Sequence, residues 1–256
     1  MVKRIDVSAP PPGWGRDDLN FFFDLFRNNI YGSFHNLPQE YHCLRLVDEA
    51  YVGISGTLTD DRDWMQSLFV HKSHSIYRAG AQLAMGGQFS EVFVLLRSCL
   101  ESSLCAHYLH VNEELRELWM GRHESEENRK KVRKKFQSGR LKVELTQAAP
   151  EVAVHVNALY EMCIDLGGHP NEKWLTATLR EYEQDGARQF YSQYLTDDPG
   201  LMIFAMTSCA RVGLATLLIY RQIFPERFQT LAVRDDLAGL EQLVFSEGYE
   251  AEWNFS

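Results

Sequence analysis

Residues 88–111, QFSEVFVLLRSCLESSLCAHYLHV, constrain the fold of this chain more than any other stretch. Two adjacent stripes of apolar side chains, one through Leu96 and one through Phe93, recur at steps of three and four residues. Both stripes cannot face water, and a helix that is apolar around most of its circumference is normally enclosed by other helices. We therefore predict a central, buried helix here.

Arg97 and Glu101 interrupt the apolar surface of this predicted helix, four residues apart. At that spacing the two side chains are neighbours and can neutralise each other. One interpretation is an internal ion pair that fixes helix packing. The other is a polar cleft in which both groups bind a ligand. His169, in a Gly-Gly-His-Pro turn, is then the candidate third group, although a histidine at a helix end can also cap the last carbonyls.

The length allows one large domain or two small ones, and the composition is that of a folded protein. The 256 residues are 45% hydrophobic and 24% charged. We predict an extended lead-in over residues 1–16, a helical domain over 17–247 and a tail over 248–256. Five cysteines without a Cys-x-x-Cys pair, together with an amino terminus that lacks an apolar leader, predict a cytoplasmic location.

Helix start and stop signals divide the chain into a mainly α, single-domain antiparallel helical bundle. Gly86-Gly87 predicts a tight hairpin between the central helix and the helix before it. The apolar run 201–220 has Arg211 at its centre, which favours a buried core helix over a membrane span. The expected helix starts are Asp17 or Asp18, Pro38, Thr59-Asp60, Asn112, Pro150, Asp198-Pro199 and Asp235-Asp236.

Over residues 174–195 the sequence pattern changes from helical spacing to strand-like alternation. Alternating threonines and the turn signal Asp185-Gly186 predict a small β-hairpin insertion at about 174–195. The competing interpretation is a helix over residues 171–184.

Near the amino terminus, three consecutive phenylalanines, residues 21–23, cannot all face one core. One of them would meet another helix or a second subunit, so we expect a homo-oligomer as one arrangement.

Most catalytic and cofactor motifs are missing from the sequence. It contains no Gly-x-Ser-x-Gly elbow, phosphate-binding loop or Gly-x-Gly-x-x-Gly turn, so we predict no cofactor. Two histidine pairs, His71 with His74 and His107 with His110, have a spacing that suits a metal. Neither forms a Glu-x-x-His or His-Glu-x-x-His motif, and we predict no metal site.

Arg116 and His123 offer one enzymatic hypothesis. Their separation in RELWMGRH is similar to the Arg-x(4 to 6)-His motif of helical HEPN ribonucleases, in which the arginine stabilises charge on the RNA phosphate and the histidine moves a proton. A net charge of −9 disfavours general nucleic-acid binding, but a local basic segment follows the motif. The candidate RNA contacts are Arg129, Lys130, Lys131, Arg133, Lys134 and Lys135.

Several short motifs together resemble a family. Leu96-Arg97-x-x-x-Glu101, Tyr108-Leu109, and Tyr160 followed by Gly-Gly-His-Pro-Asn are similar to a group of uncharacterised helical bacterial proteins, catalogued as domains of unknown function. The resemblance covers about Arg78 to Phe224. It implies a mainly helical cytoplasmic protein and supplies no activity.

The leading functional hypothesis is a binding or interaction module for a small molecule or a protein. Its site would be a polar cleft near Arg97, Glu101 and His169. The alternative is a HEPN-like, metal-independent ribonuclease of a toxin or phage-defence system, with Arg116 and His123 as its catalytic residues.

Overall fold

The computed structural model describes residues 10–58, 64–168, 170–184, 186–230 and 239. Within them the chain is mainly α-helical with one two-stranded antiparallel sheet, as predicted. The helices are α1 (Asp18–Asn36), α2 (Pro38–Ser55), α3 (Trp64–Gly86), α4 (Phe89–Val111), α5 (Arg116–Met120), α6 (Glu126–Lys135), α7 (Ser138–Ala148), α8 (Pro150–Cys163), α9 (Glu172–Thr176), α10 (Pro199–Ile223) and α11 (Pro225–Thr230). The strands are β1 (Leu179–Gln184) and β2 (Ala187–Ser192). Short 3-10 turns at Glu113–Leu115 and Gly121–His123 flank α5, and a π-helical turn, Ile164–Gly168, extends α8.

Helices α4 and α10 form the centre of the fold. Each is long and apolar enough by composition to cross a membrane, but 61% and 78% of their most apolar windows are buried inside the protein. Helix α4 packs against α3, α7, α8 and α10, and α10 also packs against α2. The predictions of a buried central helix and of a buried core helix over residues 201–220 are therefore confirmed.

The tight hairpin between α3 and α4 is also confirmed. Gly87 has a positive φ of 86°, and a Cβ on it would lie only 2.4 Å from the carbonyl oxygen of Thr196. Only glycine fits this position without strain. The Thr196 amide donates to the Gly87 carbonyl at 2.8 Å. This bond ties the segment that follows the β-hairpin to the α3–α4 turn.

Four of the five predicted helix starts that lie in the described residues have local physical causes. Asp17 accepts a hydrogen bond from the Asn20 amide, and Asp198 accepts from two amides of α10. Pro38 and Pro150 are the first residues of α2 and α8, where a missing N–H costs nothing. After Asn112 a 3-10 turn begins instead of α5, and the Asn112 side chain makes no cap. The starts predicted at Thr59-Asp60 and at Asp235-Asp236 lie outside the described residues.

The predicted β-hairpin is present over residues 179–192, shorter than the predicted 174–195. Its register pairs Leu179 with Ser192 and Gln184 with Ala187. The competing prediction of a helix over residues 171–184 is wrong beyond the short helix α9, which Asn171 caps. Aromatic residues have a high propensity for β-strands. The rings of Tyr182 and Tyr191 pack across the two strands, with 5.7 Å between their centres. Asp185, in the predicted turn, lies outside the described residues.

Buried hydroxyl groups pair across the core. Ser73 and Tyr220 hydrogen-bond at 2.7 Å, and the Tyr77 hydroxyl donates to the Leu44 carbonyl at 2.7 Å. Tyr51 hydrogen-bonds to Thr216. These bonds link α2, α3 and α10, and each satisfies a polar group that would otherwise destabilise the core.

His107 is a buried polar residue of the core that lacks such a partner in the described part of the chain. The residue is 2% exposed, and its Nδ1 has no hydrogen-bond partner among the described residues. Burial, together with the nearby His110, lowers the pKa of His107 to about 4. A neutral imidazole is therefore enclosed in the folded state, whereas an unfolded chain has a histidine pKa of about 6.5.

We expect this histidine to make the fold sensitive to acid. Because the folded pKa lies below the unfolded one, protons bind the unfolded chain more readily, and stability falls as the pH decreases from about 6.5 towards 4. The free energy of unfolding from urea titrations should drop by about 3 kcal/mol more in the wild type than in His107→Leu between pH 7 and pH 4. Equal pH dependence of the two proteins would contradict this assignment.

Candidate functional site

Arg97 and Glu101 form the predicted ion pair on α4. Arg97 Nε donates to Glu101 Oε1 at 3.0 Å. The side chains are 23% and 41% exposed, respectively, so the pair lies at the edge of the core and is not sealed inside it. An ion pair in that position is in contact with solvent, so a dissolved ligand can reach it.

Tyr160 of α8 completes this pair. Its hydroxyl donates to the same oxygen, Glu101 Oε1, at 2.7 Å, and the residue is only 2% exposed. The Arg97 guanidinium carbon lies 5.4 Å from the centre of the Tyr160 ring. Burial and the adjacent Glu101 carboxylate raise the pKa of Tyr160, while a hydrogen bond from Ser138 acts in the opposite direction. The phenol thus stays a donor, and it fixes the carboxylate from the core side.

Lys142 adds a third helix, α7, to the arrangement. Its Nζ lies 4.5 Å from the centre of the Tyr160 ring and donates to Glu161 Oε1 at 2.8 Å. The cation and the ring attract each other through the ring quadrupole. We refer to Arg97, Glu101, Lys142, Tyr160 and Glu161 as the rim cluster.

The π-helical turn after α8 keeps the rim cluster in register. A Cβ on Gly167 would lie 2.4 Å from the Ser90 carbonyl oxygen and 3.0 Å from Phe93 Cβ, so the turn lies directly on the first turns of α4. Glycine permits this close approach of two backbones. The contact fixes the position of α8 along α4 and so places Tyr160 beside Glu101.

The sequence named a different third group. His169, the predicted partner of Arg97 and Glu101, lies outside the described residues. The sequence gives Tyr160 no site role, because its spacing matches that of the core residues of its helix. The one general signal is that a buried tyrosine hydroxyl needs a hydrogen-bond partner.

Arg116 and His123, the candidate ribonuclease pair, lie on different elements. Arg116 belongs to α5, and its guanidinium donates to the Leu109 carbonyl at 3.1 Å and to Glu113 at 3.0 Å. It therefore caps the carboxyl end of α4, where the last carbonyls need donors. His123 is exposed in the following 3-10 turn. The Arg116 contacts join α5 to the end of α4.

The basic segment forms the exposed helix α6. Two of its bases pair with acids of its own first turn, Arg129 with Glu126 at 3.0 Å and Lys131 with Glu127 at 2.7 Å. Val132 is its single buried residue. The remaining candidate RNA contacts are exposed on the helix surface: Lys130, Arg133, Lys134 and Lys135. Asn128 donates to the Gly121 carbonyl at 3.0 Å and so joins α6 to the turn that carries His123.

A second polar cluster joins α2 to α3. Asp48 receives hydrogen bonds from His74 Nε2 at 2.6 Å and from Arg78 at 2.6 and 2.8 Å. Burial alone would raise the pKa of Asp48, but the Arg78 and His74 contacts outweigh it and lower this pKa. His74 also stacks on Tyr51. The sequence suggested His74 as half of a metal pair, but the fold uses it in this interhelical bridge.

Among the described residues, no three His, Cys, Asp or Glu side chains form a group that could hold a metal ion.

Comparisons with protein-family models, with curated proteins and with solved structures find no match to this chain. The resemblance to helical bacterial proteins therefore stays a prediction.

Proposed function

We propose that this chain is a binding protein whose rim cluster takes a small ligand or peptide group that carries an amine or guanidine. The observation that carries the proposal is the state of Glu101. Its carboxylate is held through one oxygen by Arg97 and Tyr160, yet its side chain is 41% exposed.

Orientation is the first supporting feature. Two donors on the same oxygen, one from its own helix and one from α8, restrict rotation of the Glu101 side chain. The Glu101 side chain is 41% exposed, so a donor can approach the carboxylate from solvent. A binding group that is fixed in advance loses little conformational entropy when the ligand binds.

The flanking charges favour a ligand with more than one polar group. Glu161 is 64% exposed and lies in contact with Lys142, which stacks on the Tyr160 ring. The cluster thus presents two carboxylates for a donor and a lysine for an acceptor. A ligand with a cationic end and an anionic or carbonyl group, such as an amino acid or a peptide side chain, matches this arrangement.

A purely structural role explains the cluster less well. Exposed ion pairs contribute about 0–1 kcal/mol to stability, and an apolar side chain at either α4 position would extend the packing against α7 and α8. The cluster instead uses a buried tyrosine to orient an exposed carboxylate. That arrangement is typical of a recognition site.

The proposal is tested by titration of the labelled protein with L-arginine, L-lysine and propylamine, followed by two-dimensional NMR. We expect saturable shifts of amides near Glu101 and Tyr160, and Glu101→Gln should weaken binding about tenfold or more because it removes the charge that pairs with the ligand cation. The matched control is Glu151→Gln. It removes an exposed carboxylate in the first turn of α8, outside the rim cluster, and should leave binding unchanged.

Two results would refute the proposal. One is the absence of saturable binding by any of the three amines to the wild type. The other is binding that Glu101→Gln and Glu151→Gln affect equally, because the amines would then respond only to the net negative charge of the protein.

The second candidate is the HEPN-like ribonuclease. It is supported by one contact, the hydrogen bond that joins the His123 turn to the basic helix α6. RNA held on the exposed bases of α6 would lie beside this histidine, which can transfer a proton. The capping role of Arg116 counts against it, because that guanidinium donates to Leu109 and Glu113.

Incubation with mixed RNA in the presence of a chelator separates the two candidates. A ribonuclease should cleave RNA in the wild type and lose at least about a hundredfold in rate in His123→Ala, the scale of acid–base catalysis. His155→Ala, a change on α8 away from the basic helix, serves as the control. If the wild type leaves RNA intact, or if His123→Ala cleaves equally well, the ribonuclease hypothesis fails.

A further inference from the structure

One row of residues along α1 is unfavourable for a helix. In the segment 28–36, NNIYGSFHN, Asn28, Gly32 and Asn36 follow one another at steps of four residues and so lie on one face. Asparagine ranks low among helix formers, and glycine is the least favourable residue after proline. Helix stability therefore does not explain this row.

Packing does not explain Gly32 either. A Cβ on Gly32 would have no described atom of another element within 4 Å. By contrast, a Cβ on Gly86 would collide with the Phe26 ring, so the close approach of α1 and α3 requires that glycine. The missing side chain at Gly32 leaves open space at the surface of α1.

This open space belongs to a pocket of about 190 Å³ between α1 and the start of α10. Two of its lining residues hold α1 against the α3–α4 turn. Asn29 Nδ2 donates to the Gly86 carbonyl at 3.1 Å, and Ser33 Oγ donates to the Met85 carbonyl at 2.8 Å. The wall on the α1 side is thus fixed by hydrogen bonds before any ligand binds.

Three other polar side chains of the pocket are available to a ligand. Asn28 and Asn36 are exposed, and neither side chain hydrogen-bonds to a residue that the structure describes. Asp197 is also exposed and accepts a hydrogen bond from Gln193 Nε2 at 3.0 Å, and a carboxylate can accept several more. The apolar part of the lining is formed by Leu37, Pro199 and Met202.

We propose that this pocket binds a small polyhydroxylated ligand of about the size of a monosaccharide. Each asparagine amide offers donors and an acceptor, and the Asp197 carboxylate offers acceptors. A hydroxyl group both donates and accepts, so neighbouring hydroxyls on one ligand match all three side chains. Pockets for drug-sized ligands have about 300–1,000 Å³, so a volume of about 190 Å³ suits a smaller molecule.

The lining disfavours charged ligands. None of the nine residues that line the pocket is Lys, Arg or His, so a phosphate or carboxylate group would find no cation there. An amine could pair with Asp197, but it would leave the amide donors of Asn28 and Asn36 without acceptors. The pocket is also separate from the rim cluster, whose residues lie on α4, α7 and α8.

Titration of the ¹⁵N-labelled full chain with D-glucose, D-galactose and myo-inositol tests this proposal, because asparagine side-chain amides give their own signals in two-dimensional NMR. We expect at least one of the three to cause saturable shifts of the Asn28 and Asn36 side-chain amides. Gly32→Leu should weaken that binding about tenfold or more, because the new side chain extends into the pocket.

The matched control is Gly139→Leu, at an exposed glycine of α7 where an added Cβ also meets no described atom within 4 Å. Both substitutions replace a helical glycine by a good helix former and should not lower the melting temperature. Asn28→Ala and Asn36→Ala give a second test, because each removes a side chain that makes no hydrogen bond within the described residues. Each should weaken binding several-fold and leave the fold intact.

Three results would overturn the proposal. The first is the absence of saturable shifts with all three polyols. The second is binding that Gly32→Leu weakens no more than Gly139→Leu does. The third is a response of the Asn28 and Asn36 amides to phosphate or propylamine and to none of the polyols, which would assign the pocket to a charged ligand.

Discussion

The enclosure of α4 is the constraint on which the rest of the structure depends. Helices α3, α7, α8 and α10 surround it, so a charged group on α4 is tolerated only where water or a paired partner reaches it. Arg97 and Glu101 lie at that edge, and the hydrogen-bonded hydroxyls of the core lie on the opposite side, towards α2 and α10. The rim cluster is therefore located where the enclosure ends.

The rim cluster differs from an ordinary surface ion pair because the Glu101 carboxylate is held in one orientation. A glutamate at a helix surface is ordinarily mobile and binds nothing strongly. Here Tyr160 reaches from the core to the carboxylate, and the glycine contact between the π-helical turn and α4 fixes the distance between the two helices. The fold thus converts a surface carboxylate into a fixed acceptor. Asp48, His74 and Arg78 form a bridge from similar groups. There His74 and Arg78 both donate to the Asp48 carboxylate, and the bridge joins α2 to α3.

The sequence predicts helices α1, α2, α4, α8 and α10 because local signals set their boundaries, but it gave no start for α6 or α7. Proline at the first turn, aspartate caps and the Gly86-Gly87 hairpin act within a few residues. It also pairs Arg97 with Glu101, since both lie on one helix. Tyr160 could not be assigned to the site in the same way, because its contact spans 59 positions and depends on how α8 packs along α4. The capping role of Arg116 was hidden for a similar reason, as its acceptor is a backbone carbonyl of the preceding helix.

The central claim is that the rim cluster serves recognition and contributes little to stability. The most direct measurement is the free energy of unfolding, from urea titration, of a variant that combines Arg97→Met, Glu101→Leu and Tyr160→Phe. These changes replace the Arg97–Glu101–Tyr160 network by apolar groups of similar shape and leave the Lys142–Glu161 pair intact, so the variant should lie within about 1 kcal/mol of the wild type. A loss of more than about 3 kcal/mol would contradict the claim and make the cluster a structural anchor of α4.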